Sequence, residues 1–550
     1  MESRRARTAY NRNVVSIFLS VRLRRSALAA VSALALVLSG AASVAQSAAP
    51  SANQGRILLL LPFDNRSGQP SLEWVREAAA DLISRRLASS GFAPMSRTDR
   101  MYALDHLGLP QTFQPSRASA LKLAQTLDTD SIVVGSFLTD GDNLVVEARV
   151  VNVAALNMSE PVTVRAPIAK MADIFDSLAW KIARELDPNF AVAEETFLAA
   201  GRDIRLDAYE QYIRGITEPD QAERLRHLQK SVELNAAFGS AWMALGREQY
   251  ASQQYEQAAA AFAKVGRNDP EALEAGFYRG LALLFSGNYP GAEKAFESVA
   301  RILPLAEVIN NHAVAVSRQG TDATDLFMKA AAADPASPDY HFNLAVSLSR
   351  HGQRAGAMAE LAQCLKLRPN DEEAQSLAAA WKQPQSNPAD AVPDPLERIV
   401  RTFDAAAFRQ AAQMMDQMDS SRLATLSPAT RALKLCTQAS GYLERGLLLE
   451  AERLYRDAVS VDPASAEAHA GLAKVCERSG DLETARREAR IANDRQPTAD
   501  AWMVLARIDR SAGRLLDANR DISEALRIDP ANTAAQQLQL QILAGTGVKK

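Results

Sequence analysis

Four residue types recur together about every 34 positions, and this period constrains the fold more than any other feature of the chain. Each type keeps its place in the order small, small, aromatic, proline in successive units: Gly246 and Gly280, Ala258 and Ala292, Phe262 and Phe296, Pro270 and Pro304. A period of this length is typical of stacked helix-turn-helix pairs, in which each pair packs only on its neighbours. The sequence therefore predicts a helical superhelix, an architecture that usually binds rather than catalyses.

The repeat units form two blocks. The first covers residues 205–382, and the second covers 396–544, with a tail at 545–550. Between them, residues 383–395 contain four prolines separated by polar residues, a composition that cannot continue a helix and predicts a linker. Counting a divergent first pair at 209–234, we expect about eight or nine repeats in two stacks.

The repeats resemble the tetratricopeptide family at its signature positions. In one unit these positions hold Trp242, Leu245, Gly246, Tyr255, Ala258, Phe262 and Pro270, and in the next Gly280, Gly287, Tyr289, Ala292, Phe296 and Pro304. The resemblance implies stacks of paired helices with a concave groove that holds a protein or peptide. The signature residues themselves are expected to pack, so they predict architecture and leave the partner open.

The first 45 residues have the composition of a secretory signal. Seven arginines against one acidic residue precede an apolar run at 27–38, and Ser43-Val44-Ala45 offers a cleavage site. We expect export to the periplasm with cleavage after Ala45; the alternative is an uncleaved inner-membrane anchor facing the periplasm. The remaining chain has 55 basic and 64 acidic residues, a mildly acidic balance that argues against nucleic acid as the main partner.

Residues 57–188 follow a polar linker at 46–56 and alternate strand-like with helix-like patterns. The predicted elements are a strand at 57–61, a helix at 72–88 capped by Ser71, a short strand at 92–96, a helix at 118–127, a hairpin of strands at 131–138 and 144–153, a strand at 162–164 and a helix at 168–186. Together they predict a small α/β domain with a mixed sheet and packed helices. The whole chain is thus expected to be an α+β multidomain protein, with this domain followed by an all-α superhelix in two stacks.

Two segments of this domain resemble the TolB amino-terminal-domain-like family. The first is Leu60-Leu61-Pro62-Phe63-Asp64-Asn65-Arg66-Ser67-Gly68, and the second is Gly135-Ser136 followed by the run from Gly141 to Val151. The resemblance implies an α/β domain of the bacterial periplasm that is commonly fused to tetratricopeptide arrays. It also implies contacts with other envelope proteins rather than chemistry.

Motifs for catalysis, cofactors and metals are not found in the sequence. The six histidines show neither an HExxH pattern nor a paired ligand spacing, and the loop after the first strand lacks the closely spaced glycines of a phosphate site. Cys364, Cys436 and Cys476 also lack metal-ligand spacing, and Cys364 occupies a position for a small buried residue. We predict a non-enzymatic protein with no cofactor and no metal.

Two adjacent repeats of the first block share polar residues at matching positions. Asn311 and Asn343 precede the small signature residues by two positions, and Arg318 and Arg350 precede the glycines Gly320 and Gly352 by two. Asparagine amides can hold the backbone of an extended peptide through paired contacts, and arginine can bind a carboxylate. The candidate peptide-binding groove therefore comprises five residues, namely Asn311, Arg318, Asn343, Arg350 and Arg247. The alternative is that the asparagines brace their own helices and the arginines are solvated.

These features lead to one functional hypothesis and one alternative. The hypothesis is a non-enzymatic periplasmic scaffold or adaptor that mediates protein–protein interactions through the concave groove. In the alternative, the protein is an envelope ligand sensor whose α/β domain binds a small molecule and signals through the repeats. A closed, apolar interior of the α/β domain would favour the scaffold, and an unoccupied polar pocket there would favour the sensor.

Overall fold

The computed structural model describes residues 57–109, 117–201, 205–382, 394–403, 418 and 421–545. The predicted signal peptide at 1–45, the linker at 46–56 and most of the proline-rich stretch, residues 383–393, lie outside the described residues. Within the described part of the chain, no helix is both long and apolar enough to cross a membrane.

The α/β domain is built on one mixed sheet. Its strands are β1 (Ile57–Leu60), β2 (Asp64–Asn65), β3 (Ala93–Pro94), β4 (Ser131–Asp140), β5 (Asn143–Asn152), β6 (Asn157–Met158) and β7 (Val162–Pro167). Strand β1 is parallel to β3 and β4, whereas β4 and β5 form a long antiparallel hairpin and β7 pairs antiparallel with β5. Gly141, with φ of 58°, makes the hairpin turn. The predicted mixed sheet is confirmed.

Helices pack on both faces of this sheet. They are α1 (Val75–Ser89), α2 (Arg97–His106), α3 (Arg117–Thr126) and α4 (Met171–Leu186). Because side chains alternate along a strand, Leu58 and Leu60 join the core beneath α1 and α4, while Leu59 and Leu61 join a separate core beneath α2 and α3. Each face of β1 therefore packs against one of the two layers of helices.

One local prediction in this domain is wrong, and one helix was missed. Ser71 does not cap a helix, because Pro70 begins a 3₁₀ turn through Leu72, and α1 starts only at Val75 without a side-chain cap. Helix α2 was not predicted, although its cap is readable in the sequence: the Ser96 hydroxyl accepts a hydrogen bond of 3.1 Å from the Asp99 amide.

The remaining helices form two stacks of antiparallel pairs. A short connector, α5 (Glu194–Ala200), leads to the first stack. The helices of stack 1 are α6 (Leu206–Thr217), α7 (Gln221–Leu234), α8 (Gly239–Ala251), α9 (Tyr255–Phe262), α10 (Ala272–Phe285), α11 (Tyr289–Ala300), α12 (Ala306–Ser317), α13 (Thr324–Ala333), α14 (Pro338–Arg350), α15 (Arg354–Leu367) and α16 (Glu372–Lys382). Those of stack 2 are α17 (Pro428–Glu444), α18 (Leu448–Val461), α19 (Ala466–Ser479), α20 (Leu482–Arg495), α21 (Ala499–Ser511), α22 (Leu515–Ile528) and α23 (Thr533–Gly545). Within the described residues this gives eight pairs, each stack ending in a single closing helix, as the repeat pattern predicts.

The signature residues pack where the period places them. A Cβ atom added to Gly280 would lie 2.7 Å from the ring of Phe296, and one added to Gly246 would lie 2.6 Å from the ring of Phe262. The absence of a side chain at these glycines lets the two helices of a pair approach closely. Cys364 is fully buried, as expected of a small apolar position.

Both stacks contact the α/β domain, and Leu449 of stack 2 belongs to the apolar core beneath α1 and α4. In stack 1, the Tyr209 hydroxyl donates a 2.5 Å hydrogen bond to Asp81 on α1. In stack 2, the buried carboxylate of Glu452 accepts a 3.0 Å hydrogen bond from the Ala193 amide and a second bond from the Thr196 hydroxyl. Since residues 193 and 196 lie at the connector α5, the second stack folds back onto the chain just after the α/β domain.

Candidate functional site

An extended segment of the chain itself lies along the groove of stack 1. We call residues 394–403 the strap. The strap contacts three consecutive first helices in reverse order, with α14 near residue 398, α12 near residue 400 and α10 near residue 403. It therefore runs antiparallel to the order of the repeats. Residues 396–403 were predicted to begin the second block, but they lie in the groove of the first.

Two asparagines hold the backbone of the strap. Asn343 Nδ2 donates to the carbonyl oxygen of Arg398 at 2.7 Å, and the Arg398 amide donates back to Asn343 Oδ1 at 2.7 Å. Asn311 forms the same pair of bonds with Val400, at 2.7 and 3.0 Å. In an extended chain the N–H and C=O groups of residues i and i+2 point to the same edge, so asparagines in adjacent repeats bind strap residues two positions apart. Both asparagines thus bind an extended backbone, as the first of the two alternatives predicted, instead of bracing their own helices.

A third asparagine, not singled out from the sequence, connects the other two. Asn310 Nδ2 donates to the carbonyl of Arg398 at 3.0 Å, and Asn310 Oδ1 accepts a 2.8 Å bond from Asn343. Asn310, Asn311 and Asn343 are all fully buried. Because buried amides are costly unless satisfied, this network is preorganised for one backbone position of the strap.

Glu397 is the most enclosed side chain of the strap, with 4% of its surface exposed. Its carboxylate accepts from Ser317 Oγ at 2.6 Å and from Arg318 Nε at 2.7 Å, and it also pairs with Arg350. Burial raises the pKa of Glu397, but the hydrogen bonds from Ser317 and Arg350 outweigh burial and hold the pKa below its ordinary value. The groove therefore binds a charged carboxylate at this position.

Arg398 points into an acidic site at the end of stack 1. Its guanidinium donates to Asp371 at 2.6 and 2.8 Å, to Asp339 at 2.9 Å and to Glu373 at 2.9 Å. It also lies 3.7 Å from the ring centroid of Phe342. The hydrogen bond from Arg398 lowers the pKa of Asp371, and three carboxylates converge on the guanidinium, so this site prefers a cation.

The carboxyl-terminal end of the strap is held by apolar contacts. Ile399, Val400 and Phe403 pack against the core of stack 1, and the ring of Phe403 lies 5.4 Å from that of Phe277. Arg401 lies over Phe285, 5.1 Å from the ring centroid. Polar and charged contacts thus fix the first half of the strap, and aromatic contacts continue along α10.

Four of the five predicted groove residues contact the strap, and one does not. Asn311, Arg318 and Asn343 bind it as described, and Arg350 binds both Asp394, at 2.9 Å, and Glu397. Arg247 instead pairs with Glu274 and lies 5.8 Å from the ring centroid of Tyr278, within its own stack. That the groove binds a separate partner remains a prediction.

A histidine–glutamate pair occurs at the same place in both stacks. His341 Nδ1 lies 2.6 Å from Glu360 Oε2, and its Nε2 lies 3.1 Å from the carbonyl of Pro335. In stack 2, His469 makes the same two contacts with Glu488, at 2.7 Å, and Pro463, at 3.2 Å. The hydrogen bond with Glu488 raises the pKa of His469. Both pairs link the first helix of a repeat to the second helix and to the proline turn before it, so they brace the turn that begins the repeat.

Among the described residues, no three His, Cys, Asp or Glu side chains are close enough together to hold a metal ion.

Comparisons with known proteins agree with the repeat architecture. Two tetratricopeptide repeat models match, one over residues 243–307 in stack 1 and one over residues 442–508 in stack 2. Because each model matches in a different stack, the chain contains tetratricopeptide repeats in both stacks, beside its α/β domain. No curated protein sequence matches the chain. Proteins with such repeats typically bind protein or peptide partners.

Several solved structures are similar to parts of the chain. The carboxyl-terminal domain of LpoB from Salmonella enterica is 17% identical, with 20% of this chain and 83% of that one covered and a TM-score of 0.19. MamA from Desulfovibrio magneticus RS-1 is 19% identical, with 33% and 99% covered and a TM-score of 0.28. YrrB, described as a tetratricopeptide protein with an unusual peptide-binding site, is 16% identical, with 37% and 99% covered and a TM-score of 0.28.

Proposed function

We propose that this protein is a non-catalytic adaptor of the bacterial envelope whose first stack holds an extended segment of a protein partner. The observation that carries the proposal is the pair of asparagines, Asn311 and Asn343, each exchanging two hydrogen bonds with the backbone of an extended segment. Backbone contacts of this kind supply affinity for any extended chain, and the sites around Glu397 and Arg398 supply selectivity. The groove thus has the two properties that peptide recognition requires.

The location of the adaptor rests on its amino terminus. We propose that residues 1–45 direct export, with cleavage after Ala45 and a periplasmic mature chain; the alternative is an uncleaved anchor in the inner membrane. The resemblance of the α/β domain to the TolB amino-terminal-like family supports an envelope protein. Fractionation of cells expressing a carboxyl-terminally tagged chain, with amino-terminal sequencing of the product, tests this. A full-length product in the cytoplasmic fraction would contradict export.

The packing of the α/β domain favours an adaptor over a ligand sensor. Both faces of its sheet are covered by apolar side chains, with Leu58, Leu59, Phe63, Ile132 and Val133 fully buried. A sensor needs a cleft with a few convergent polar groups, and these interior positions are filled by aliphatic and aromatic residues. We therefore assign partner binding to the repeats and a scaffolding role to the α/β domain, which both stacks contact.

A pull-down with matched variants tests the adaptor proposal. The mature chain, residues 46–550, is immobilised and exposed to envelope extract beside the variant Asn311→Ala/Asn343→Ala and the control Arg301→Ala. Arg301 is an exposed cation beside α11 that pairs with Glu297, away from the strap. We expect a protein that is recovered by the wild type and the control and lost by the double variant. Equal recovery by all three chains would contradict binding in this groove.

A further inference from the structure

The strap has the features of a bound peptide ligand rather than those of a linker. It is extended, its backbone is read on one edge by two asparagines, and two consecutive charged side chains enter sites of opposite charge. A linker needs only to span a distance, whereas this segment satisfies a buried polar network. We infer that residues 394–403 are an intramolecular copy of the groove's ligand: the groove takes in trans an extended segment with a Glu-Arg-x-Val register, and such a segment binds by displacing the strap. This inference rests on the proposed function and names the partner's chemistry.

The order of the two charges determines the register. Glu397 meets Ser317, Arg318 and Arg350, all of which donate to it. The next residue, Arg398, meets the carboxylates of Asp339, Asp371 and Glu373. A segment with the two charges exchanged would place a guanidinium against two arginines and a carboxylate against three carboxylates, which is unfavourable at both sites. The groove therefore selects a carboxylate followed directly by a cation.

The residues beyond this dyad define the rest of the recognised segment. Ile399 and Val400 pack against the core of stack 1, and Val400 also receives the second asparagine pair. Leu396, just before the dyad, is 64% exposed and contributes little to recognition. The required features are thus an extended backbone, the acidic–basic dyad and an aliphatic residue two positions after the basic one.

The covalent attachment of the strap makes it a strong competitor. A tethered segment is present at an effective concentration on the order of millimolar. For a free peptide with the strap's own sequence, the apparent dissociation constant is the intrinsic constant plus this effective concentration, so it cannot fall below about 1 mM in the intact chain. A physiological partner must therefore make further contacts, or be held nearby, to open the groove.

Peptide binding to intact and strap-weakened chains tests the inference. The probe is a fluorescein-labelled decapeptide, Asp-Pro-Leu-Glu-Arg-Ile-Val-Arg-Thr-Phe, with blocked ends, and binding is followed by fluorescence anisotropy. The proteins are the mature chain, the variant Glu397→Ala/Arg398→Ala, and that variant with Asn311→Ala/Asn343→Ala added. A second strap variant, with residues 397–400 replaced by Gly-Ser-Gly-Ser, is included in case the first folds poorly, and circular dichroism checks the fold of each.

We expect the intact chain to bind the probe with a dissociation constant of about 1 mM or weaker and the strap variants to bind at least ten times more tightly. Adding the asparagine substitutions, or exchanging Glu and Arg within the probe, should abolish this binding. If the intact chain binds as tightly as the strap variants, the groove takes peptides but the strap does not compete, and the inference fails alone. If no folded chain binds the probe, the inference fails, and the envelope pull-down with Asn311→Ala/Asn343→Ala decides separately whether the proposed function fails with it.

Displacement is measured directly with two spin labels. Leu396→Cys and Ile302→Cys place labels at exposed positions on the strap and beside α11, and the three native cysteines are buried. Saturating probe should change the distance distribution between the labels by pulse dipolar spectroscopy. An unchanged distribution with probe bound would show binding at another site and would overturn displacement.

Discussion

Asn343 and Arg398 lie 55 residues apart in the chain and exchange two hydrogen bonds of 2.7 Å each. The asparagine amide occupies the place that a neighbouring strand would take, so the strap gains the backbone pairing of a sheet within an all-helical groove. The equivalent pair of Asn311 and Val400 repeats this arrangement one repeat earlier. The strap is therefore held by contacts that depend on its extended conformation.

Removing the buried carboxylate of the strap should destabilise stack 1. In Glu397→Ala, Arg318 and Arg350 lose a partner that is 4% exposed. We expect a loss of about 2 kcal/mol, below the ~3–5 kcal/mol of a fully buried pair because both arginines reach some solvent. Urea denaturation followed by circular dichroism measures the change. The matched control is Glu297→Ala, whose exposed pair with Arg301 should be worth less than ~0.5 kcal/mol; equal losses in the two variants would contradict a docked strap.

Two glycines in stack 2 should respond oppositely to alanine. A Cβ at Gly471, in α19, would lie 2.0 Å from the ring of Tyr455, whereas one at Gly441, in α17, would meet nothing within 4 Å. Overpacking should destabilise Gly471→Ala by about 1–3 kcal/mol. Gly441→Ala should stabilise by up to ~1 kcal/mol, since alanine is the better helix former. Thermal denaturation of both variants measures the two effects. A melting temperature of Gly471→Ala at or above that of the wild type would show that α18 and α19 are not so closely packed.

The pair of His469 and Glu488 should make the stability of stack 2 depend on pH. The hydrogen bond with Glu488 raises the pKa of His469 above its ordinary 6.5, so its contribution is full below pH 6.5 and is lost as pH rises through the raised value. Burial raises the pKa of Glu488, but its contacts with His469 outweigh burial and lower the pKa below the ordinary 4.5, so this contribution is lost only as pH falls through the lowered value. The stability difference between wild type and His469→Gln should therefore be largest between pH 4.5 and 6.5.

Denaturant titrations at pH 5.5 and pH 9 check this dependence. The difference should shrink at pH 9, and Glu488→Gln should show the same trend because it removes the same pair. A difference that stays constant between the two pH values would mean that His469 acts only through packing.

The sequence predicts the architecture because the residues that create the period are the residues that pack. Gly280 and Phe296 meet as the 34-residue repeat requires, and the alternation in β1 separates Leu58 from Leu59 onto opposite faces. Asn311 and Asn343 could be placed in one groove for the same reason, since they occupy matching positions of adjacent repeats.

The strap itself could not be predicted, because its contacts join residues far apart in the chain, from 25 positions for Arg398 and Glu373 to 126 positions for Phe403 and Phe277, and leave no local periodicity. Prolines up to Pro395 indicate a linker, and nothing in the residues that follow signals that Glu397 and Arg398 enter charged sites in the preceding stack. The histidine pairs did leave a signal in the sequence. Pro335 and Pro463 each lie in a run Asp-Pro-Ala-Ser, and each precedes its histidine by six positions.

Hydrogen exchange at the strap tests the central claim most directly. The amides of Arg398 and Val400 donate to asparagine side chains, while those of Ile399 and Arg401 lie on the opposite edge of the extended segment. Residue-resolved exchange of the mature chain should show slow exchange at 398 and 400, faster exchange at 399 and 401, and loss of this alternation in Asn311→Ala/Asn343→Ala. Rapid exchange of all four amides in the wild-type protein would contradict the docking of the strap in the groove.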